Sequence, residues 1–131
     1  MKSLVVEDDF VSRIVLQKML SAYGPCDVAV NGREAIEAYS LALNDGNPYE
    51  LICLDIMMPE MDGKEALKKI RQLEKELGIH PVNEVKIFMI TALDTPKDVV
   101  DAYYQGGCTA YLVKPIEKIH VAKALREATL I

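Results

Sequence analysis

The sequence predicts a doubly wound α/β fold, in which helices cover both faces of a parallel sheet. Short apolar runs recur along the chain, and segments whose apolar residues are spaced as in a helix lie between them. Parallel strands need long crossover connections and are buried on both faces, so this alternation favours a parallel sheet. The chain has 131 residues, of which 50% are hydrophobic, so we expect one domain over residues 1–131.

Five apolar runs are predicted to form the strands of this sheet. Each run is nearly continuous rather than alternating, which predicts that all five strands are buried. A helical segment is expected after each strand, which gives five β-α pairs. The runs are residues 4–6, 28–30, 51–54, 87–90 and 110–113.

Three helices are predicted from apolar residues that recur every three or four positions and therefore share one helical face. We expect these apolar faces to cover the strands. The residues of the three faces are Val11, Ile14, Val15 and Met19; Ala35, Ala38, Tyr39 and Ala42; and Ala66, Ile70, Leu73 and Leu77.

Capping residues and prolines indicate where further helices begin. Asn31 is predicted to cap the second helix, and a fourth helix is predicted to begin near Pro96. The last helix is expected to begin after Pro115 and to extend almost to Ile131. Its buried face is predicted to consist of Val121, Leu125 and Ala128.

Composition excludes several classes of function. The formal net charge of -5 has the wrong sign for a protein that binds nucleic acid directly. No apolar run approaches the roughly 18 residues of a membrane span, and no signal peptide is visible, so we expect a cytoplasmic protein without membrane association. The cysteines Cys26, Cys53 and Cys108 are odd in number and widely separated, which predicts small core residues in a reducing compartment.

Polar residues follow four of the predicted strands. Open parallel sheets place their working residues just beyond the carboxyl ends of the strands, so these residues are expected at one edge. Glu7, Asp8 and Asp55 would repel one another there, and a hard cation such as Mg²⁺ is required to offset the repulsion. Asp8 and Asp55 are the predicted ligand pair. Asp9 is interpreted as a helix cap.

The same edge carries residues suited to phosphoryl transfer. Asp55 is a candidate nucleophile, because carboxylates attack phosphoryl groups to form aspartyl phosphates. The ammonium group of Lys114 and the hydroxyl group of Thr91 are expected to compensate charge on the phosphoryl oxygens. Asp55, Thr91 and Lys114 are therefore the candidate catalytic residues.

Four ordered motifs resemble those of the response-regulator receiver family of two-component signalling, and the resemblance covers nearly the whole chain. They are LVVEDD at residues 4–9, LDIMMPEMDG at 54–63, MITA at 89–92 and YLVKP at 111–115. The resemblance is to single-domain, chemotaxis-regulator-like members. It implies a flavodoxin-like (βα)₅ fold whose five parallel strands have the order 2-1-3-4-5.

The resemblance also implies roles for the site residues. Asp55 would accept a phosphoryl group from a histidine kinase or a histidine phosphotransfer protein. The backbone carbonyl of Met57 would complete a shell around Mg²⁺, with Mn²⁺ as an alternative ion, and Glu7 would reach the metal through water. Lys114 would pair with the phosphate, and the Lys114-Pro115 bond would be cis. Beyond self-phosphorylation, at most an autophosphatase activity is expected.

A switch is implied as well. On phosphorylation the Thr91 hydroxyl would move to the phosphoryl oxygen, and Tyr111 would pack into the space that it leaves. The face made by the fourth helix, the fifth strand and the last helix would then change its partners. The downstream protein is not identified, and a monomer or a weak phosphorylation-dependent dimer is expected. Candidate docking residues are Val99, Val100, Tyr103, Tyr104 and Ile119.

Three features depart from these expectations or compete with them. Met57 and Leu93 are apolar where family members flank the path of the hydrolytic water, which suggests a long-lived phosphorylated form. Residues 73–84 make the segment between Asp55 and Thr91 longer than usual in the family. His80 and His120 are interpreted as loop and surface residues rather than as phosphorylated histidines.

Two other functions remain open at this point. A Mg²⁺-dependent aspartyl-phosphate phosphohydrolase of the haloacid-dehalogenase type would use Asp55 as its nucleophile, but it needs a second acid two residues later, where Met57 stands. A flavodoxin-like nucleotide or flavin binder needs a glycine-rich phosphate loop, and none follows any predicted strand.

Overall fold

The structure is a computed structural model that describes residues 1–92 and 107–131. Its strands are β1 (Ser3–Val6), β2 (Cys26–Ala29), β3 (Leu51–Asp55), β4 (Lys86–Thr91) and β5 (Ala110–Val113). In the described ranges the helices are α1 (Phe10–Ser21), α2 (Gly32–Asn44), α3 (Gly63–Glu76), a short 3₁₀ turn (Pro81–Asn83) and a C-terminal helix (Lys118–Glu127). The fourth helix predicted near Pro96 lies outside the described residues.

The five strands form one parallel sheet in the order β2-β1-β3-β4-β5, which confirms the predicted fold class and strand order. The register aligns the carboxyl ends of the central strands, because Val6 pairs with Leu54 and Leu54 pairs with Met89. Residues that follow these strands therefore meet at a single edge of the sheet.

Side chains alternate between the two faces of the sheet and build two core clusters. One cluster contains Val6, Leu54 and Met89 with residues of α2 and α3. The other contains Val5 and Phe88 with residues of α1 and the C-terminal helix. Burial on both faces explains why β1, β3 and β4 appear in the sequence as continuous apolar runs.

Strand β2 differs from its prediction in position and in burial. It covers Cys26–Ala29 rather than residues 28–30, and Val28 and Val30 are exposed. It is an edge strand that pairs only with β1, so the sheet shields it on one side only. The prediction of five buried strands was wrong for β2, and also for β5, whose residues are partly buried or exposed. Cys53 and Cys108 are buried as predicted for core residues, whereas Cys26 is partly exposed.

The predicted buried face of α1 was wrong for Val11 and Val15, whereas Ile14 is partly buried and Met19 packs against the core. Leu16 and Leu20 are the buried residues of this helix, whereas Val11 is 66% exposed and Val15 is 44% exposed. Apolar residues at helical spacing occur on two faces of α1, and spacing alone does not say which face meets the sheet. Part of the apolar surface of α1 therefore remains open to solvent.

The faces of the other helices largely match their predictions. Ala35, Tyr39 and Ala42 are buried in α2, and Ala66 and Ile70 are buried in α3. Leu77 is exposed, because α3 ends at Glu76. The C-terminal helix buries Val121 and Leu125 as predicted but ends at Glu127, short of the predicted end near Ile131.

Acid and amide side chains cap three helices at the carboxyl edge of the sheet. Asp9, Asn31 and Asp62 accept hydrogen bonds from the backbone N–H groups of Ser12, Glu34 and Glu65. The cap interpretations of Asp9 and Asn31 are thus confirmed. None of the helices in the described ranges is long and apolar enough to cross a membrane.

Candidate functional site

Three carboxylates meet at the carboxyl edge of the sheet, as the sequence predicted. Glu7 and Asp8 follow β1, and Asp55 is the last residue of β3. One carboxylate oxygen from each residue lies within 4.8 Å of the others. Glu7 and Asp55 are 2% and 5% exposed, whereas Asp8 is exposed. Two buried acids and one exposed acid therefore share a small volume.

The ammonium group of Lys114 reaches this cluster from the end of β5. Its Nζ donates a hydrogen bond of 2.8 Å to Glu7 Oε2 and one of 3.3 Å to Asp55 Oδ2. The backbone N–H of Lys114 donates to the carbonyl of Thr91, which ties the residue to β4. The predicted proximity of Lys114 to Asp55 is confirmed, but the shorter contact is with Glu7.

Burial and neighbouring charges shift the pKa values of Glu7 and Lys114. Burial and the hydrogen bond with Asp55 raise the pKa of Glu7 above its ordinary value, although Lys114 and the N–H of Asp9 oppose this. Burial alone would lower the pKa of Lys114. The hydrogen bond to Glu7 and the charges of Glu7 and Asp55 outweigh it, so the pKa of Lys114 is raised.

The arrangement of oxygens fits a small divalent cation. Oδ1 of Asp55 accepts from the N–H of Met57, and Oδ2 faces Lys114. Within the described part of the chain, no donor bonds to the carboxylate of Asp8. Oxygens bound to one Mg²⁺ at about 2.1 Å lie roughly 3 to 4 Å apart, which the separation within this cluster allows. The acids present thus suit the predicted ion.

The two predicted switch residues lie on neighbouring strands and on the same face of the sheet. Thr91 ends β4 and is fully buried. Tyr111 of β5 is partly buried, pairs in register with Met89, and packs on the core cluster between the sheet and α2 and α3. Because Met89 and Thr91 are two residues apart, Thr91 and Tyr111 are diagonal neighbours. Their role as a switch stays a prediction.

The loop after β3 is held tightly against the site. Gly63 donates a backbone hydrogen bond of 2.9 Å to the carbonyl of Ile56. A Cβ atom at Gly63 would lie 2.3 Å from the carbonyl oxygen of Asp55, so only glycine allows this approach. The side chain of Met57 is 61% exposed beside Asp55. The predicted metal contact of the Met57 carbonyl stays a prediction.

Several predicted positions lie away from the site or outside the described residues. Leu93, Val99, Val100, Tyr103 and Tyr104 are not among the residues that the structure describes. Ile119 of the C-terminal helix is 67% exposed, as a docking residue requires. His80 caps the 3₁₀ turn and His120 is exposed on the C-terminal helix, in line with their interpretation. The Lys114-Pro115 bond is cis, as expected.

Sequence reasoning missed two features beside the acids. Arg13 of α1 donates from one guanidinium nitrogen to the backbone carbonyls of Glu7 and Asp8. A groove of about 470 Å³ also opens between α1 and the segment after β5. It is lined by Glu7, Val11, Ser12, Val15, Leu16, Met19, Ile90, Lys114, Pro115 and Ile116. The exposed valines of α1 were visible in the sequence, but they were assigned to the core.

Comparison with known proteins decides the family. The model of the "Response regulator receiver domain" family matches residues 3–126. The chain belongs to the response regulator receiver domain family. It is therefore a signalling domain of the kind found in two-component and phosphorelay systems, which confirms the resemblance noted in the four motifs.

Receiver domains similar to this one occur alone and within long kinases. The chain is 31% identical over 126 residues to the chemotaxis protein CheY of Bacillus subtilis, covering 95% of this chain and 93% of CheY. It is 30% identical over 128 residues to hybrid signal transduction histidine kinase L of Dictyostelium discoideum, covering 96% of this chain but 7% of the kinase.

A solved receiver structure shares the fold closely. The receiver domain of the histidine kinase CKI1 from Arabidopsis thaliana, crystallised with Mg²⁺ and BeF₃⁻, superposes with a TM-score of 0.83 at 28% identity. The match covers 99% of this chain and 90% of that one.

Proposed function

We propose that this receiver domain accepts a phosphoryl group on Asp55 from a histidine kinase or a histidine phosphotransfer protein. The observation that carries the proposal is the position of Asp55, which is 5% exposed at the end of β3 with Lys114 3.3 Å from its Oδ2. A buried carboxylate held beside a lysine and two further acids is suited to receive an anionic group once a cation is bound.

The transfer step follows from the chemistry of the groups. A carboxylate oxygen of Asp55 forms a bond to phosphorus while the bond from phosphorus to the donor's histidine nitrogen breaks. The nitrogen keeps the electron pair of that bond. Lys114 would shift from Glu7 toward the phosphoryl oxygens, and the Thr91 hydroxyl would donate a hydrogen bond to one of them. In the receiver domain, the residue that becomes covalently modified is Asp55.

The metal would be held by oxygen ligands, of which the carboxylates of Glu7, Asp8 and Asp55 lie close together. Asp8 and Asp55 would bind Mg²⁺ directly, the carbonyl of Met57 would add a third ligand, and Glu7 would contribute through water. When bound, Mg²⁺ supplies positive charge that offsets the repulsion among the acids and the incoming phosphoryl group. Its presence with the related receiver domain of CKI1 supports this choice of ion.

The groove beside α1 is the proposed seat of the phosphodonor. It joins the site directly, because Glu7 and Lys114 form part of its lining. The exposed side chains of Phe10, Val11 and Val15 extend the apolar surface around it. A helix that carries the donor histidine would cover these residues and deliver its phosphoryl group to Asp55. The exposed apolar face of α1 thereby has a use that core packing does not give it.

The output of the domain is proposed at the surface formed by β5 and the C-terminal helix. Phosphorylation would draw Thr91 toward the site and Tyr111 inward, which changes the surface near β5 and the C-terminal helix. Ile119 would then contact a downstream protein of unknown identity. The domain would act as a monomer or as a weak phosphorylation-dependent dimer, and any catalysis beyond its own phosphorylation would be limited to loss of the phosphate.

Phosphorylation with a small donor tests the proposal. Wild-type protein incubated with acetyl phosphate and Mg²⁺ should gain one phosphoryl group by mass spectrometry, and Asp55→Asn should gain none. Asp9→Asn is the matched control, since it makes the same change in a cap residue next to the site and should leave the adduct intact. Equal labelling of the Asp55→Asn variant would exclude Asp55 as the acceptor, and multiple turnover of acetyl phosphate would favour the phosphohydrolase instead.

A long lifetime of the phosphorylated form is a second part of the proposal. Met57 lies beside Asp55 with 61% of its surface exposed, so an apolar side chain stands near the path by which water reaches the phosphate. Phosphate loss from the purified phosphoprotein should be slower than from the Met57→Asn, Leu93→Glu double variant. Equal rates of phosphate loss in the two proteins would show that Met57 and Leu93 do not slow hydrolysis.

A further inference from the structure

Arg13 holds the turn that carries two of the acids. It lies on the first turn of α1, and its guanidinium NH1 donates a hydrogen bond of 2.9 Å to the carbonyl of Glu7 and one of 3.4 Å to the carbonyl of Asp8. Its own backbone N–H donates to the carbonyl of Asp9 at 2.9 Å. One residue therefore contacts the backbone of three successive residues of the β1-α1 turn.

The charge of Arg13 faces the backbone of the acids and leaves their carboxylates free. Within the described residues, Arg13 forms no ion pair with Glu7 or Asp8, whereas Lys114 contacts the carboxylates of Glu7 and Asp55 directly. An ammonium on a carboxylate occupies an oxygen that a cation needs. A guanidinium on the carbonyls attracts the same acids without occupying any such oxygen. The two cations thus have different consequences for metal binding.

The side chain of Arg13 is itself held in place. Its Cζ lies 5.5 Å from the centroid of the Phe10 ring, a cation–π distance that keeps the guanidinium folded back over the start of α1. Asp8 needs such support, because its carboxylate is exposed and receives no hydrogen bond from the described residues. The backbone is then what determines where this carboxylate points.

We propose that Arg13 is a positioning residue for the metal site, which keeps Asp8 aimed at Glu7 and Asp55 by holding the carbonyls of the β1-α1 turn. The inference rests on the proposed function, since it assumes that these acids bind Mg²⁺. Residues that orient metal ligands without touching the metal typically change metal affinity 10-fold to 100-fold when replaced. Arg13 should behave in this way although it contributes no ligand atom.

Calorimetric titration of the unphosphorylated chain with Mg²⁺ tests this role without any phosphodonor. Arg13→Gln should raise the dissociation constant for Mg²⁺ by about 10-fold. Lys18→Gln is the matched control, because it removes one positive charge from an exposed position of the same helix, and its dissociation constant should stay within about twofold of wild type. Glutamine is a good helix former, so both variants should keep the helix.

Two results would overturn the inference. Arg13→Gln would bind Mg²⁺ as tightly as wild type if the turn held itself. Arg13 would act only as a distant positive charge if Arg13→Gln bound Mg²⁺ more tightly than wild type at low salt and lost that gain at about 1 M KCl, where charges are screened beyond roughly 3 Å. Both results differ from a failure of the proposed function. In that case the wild-type protein itself would show no Mg²⁺ binding.

Discussion

Two buried acid clusters lie at opposite edges of the sheet, and they are built differently. At the carboxyl edge, Glu7 and Asp55 are buried with Asp8 nearby, and Lys114 contacts Glu7 and Asp55 directly. At the other edge, Glu74 of α3 is fully buried beside the start of β4. Both clusters place a charge where charges are costly, so each must be compensated.

The cluster at Glu74 is fully compensated by the chain itself. Oε1 of Glu74 contacts Arg71 at 2.6 Å, and Oε2 accepts hydrogen bonds from the Tyr39 hydroxyl at 2.9 Å and from the N–H of Val85 at 2.8 Å. Burial and the hydrogen bond to Glu74 raise the pKa of Tyr39. These contacts join α2, α3 and the beginning of β4, so the cluster is a structural device.

The carboxyl edge is left short of positive charge, and this difference separates function from stability. Among residues 1–92 and 107–131, the three acids there share one lysine, and the carboxylate of Asp8 has no donor. A site that satisfied its own charges would have no affinity for a cation or a phosphoryl group. The incomplete compensation at Glu7, Asp8 and Asp55 is therefore what the proposed binding of Mg²⁺ and of a phosphoryl group requires.

The largest expected effect comes from breaking the compensated cluster. Arg71→Leu would leave the buried charge of Glu74 without its cation and would also remove the hydrogen bonds from Arg71 to the carbonyls of Val85 and Gly107. Loss of one partner of a buried pair costs about 3 to 5 kcal/mol, so the free energy of unfolding should fall by about 4 kcal/mol. Urea denaturation followed by circular dichroism measures the change.

The same substitution at the surface is the control. Arg33→Leu removes the exposed ion pair with Glu60, in which the two side chains are 65% and 61% exposed. Such pairs contribute about 0 to 1 kcal/mol. A loss of under about 1 kcal/mol in Arg71→Leu as well would show that Glu74 does not depend on its cation.

The next largest effect is expected when Mg²⁺ supplies positive charge at the carboxyl edge of the sheet. Saturating Mg²⁺, at about 100 times its dissociation constant, should raise the free energy of unfolding by about 3 kcal/mol. Asp8→Asn should lose most of this gain, because it removes a proposed metal ligand that accepts no hydrogen bond from the described residues. Arg71→Leu should keep the gain while remaining less stable. Denaturation in Mg²⁺ and in EDTA measures the free energy of unfolding with and without the metal. An equal gain in Asp8→Asn would show that the metal binds at another site.

The sequence was sufficient to predict the fold and the meeting of three acids at one edge of the sheet. Continuous apolar runs that alternate with helical segments predicted the parallel sheet, and the residues that follow β1, β3, β4 and β5 were placed at one edge because parallel strands end together. Asp55, Glu7 and Lys114 accordingly contact one another as expected. Short-range pattern and simple topology were enough for these conclusions.

Long-range partners could not be predicted. Glu74 lies on the buried stripe of α3 four residues after Ile70, but a charged residue is normally assigned to the surface. Its partner Tyr39 is 35 residues away in the sequence, and no local pattern connects them. The prediction for α1 was wrong for a related reason. Both faces of this helix carry apolar residues, and only the packed structure shows which face is covered.

The smallest expected effect is the pH dependence of the free energy of unfolding that Glu7 contributes in the absence of metal. Burial and Asp55 raise the folded-state pKa of Glu7 above its ordinary value of 4.5, so the folded protein holds this proton more tightly than the unfolded chain. The associated stability is fully present below pH 4.5 and is lost as the pH rises through the folded-state pKa. The effect should be well below that of Arg71→Leu.

Glu7→Gln isolates this contribution, because it removes the titrating group and keeps the shape of the side chain. In EDTA, the free energy of unfolding of wild type minus that of Glu7→Gln should become less favourable as the pH rises from 4.5 toward neutrality. Saturating Mg²⁺ should flatten this difference, since a bound cation favours the ionised carboxylates. A difference independent of pH in EDTA would mean that Lys114 already satisfies Glu7, and that the carboxyl edge resembles the Glu74 cluster more than its geometry indicates.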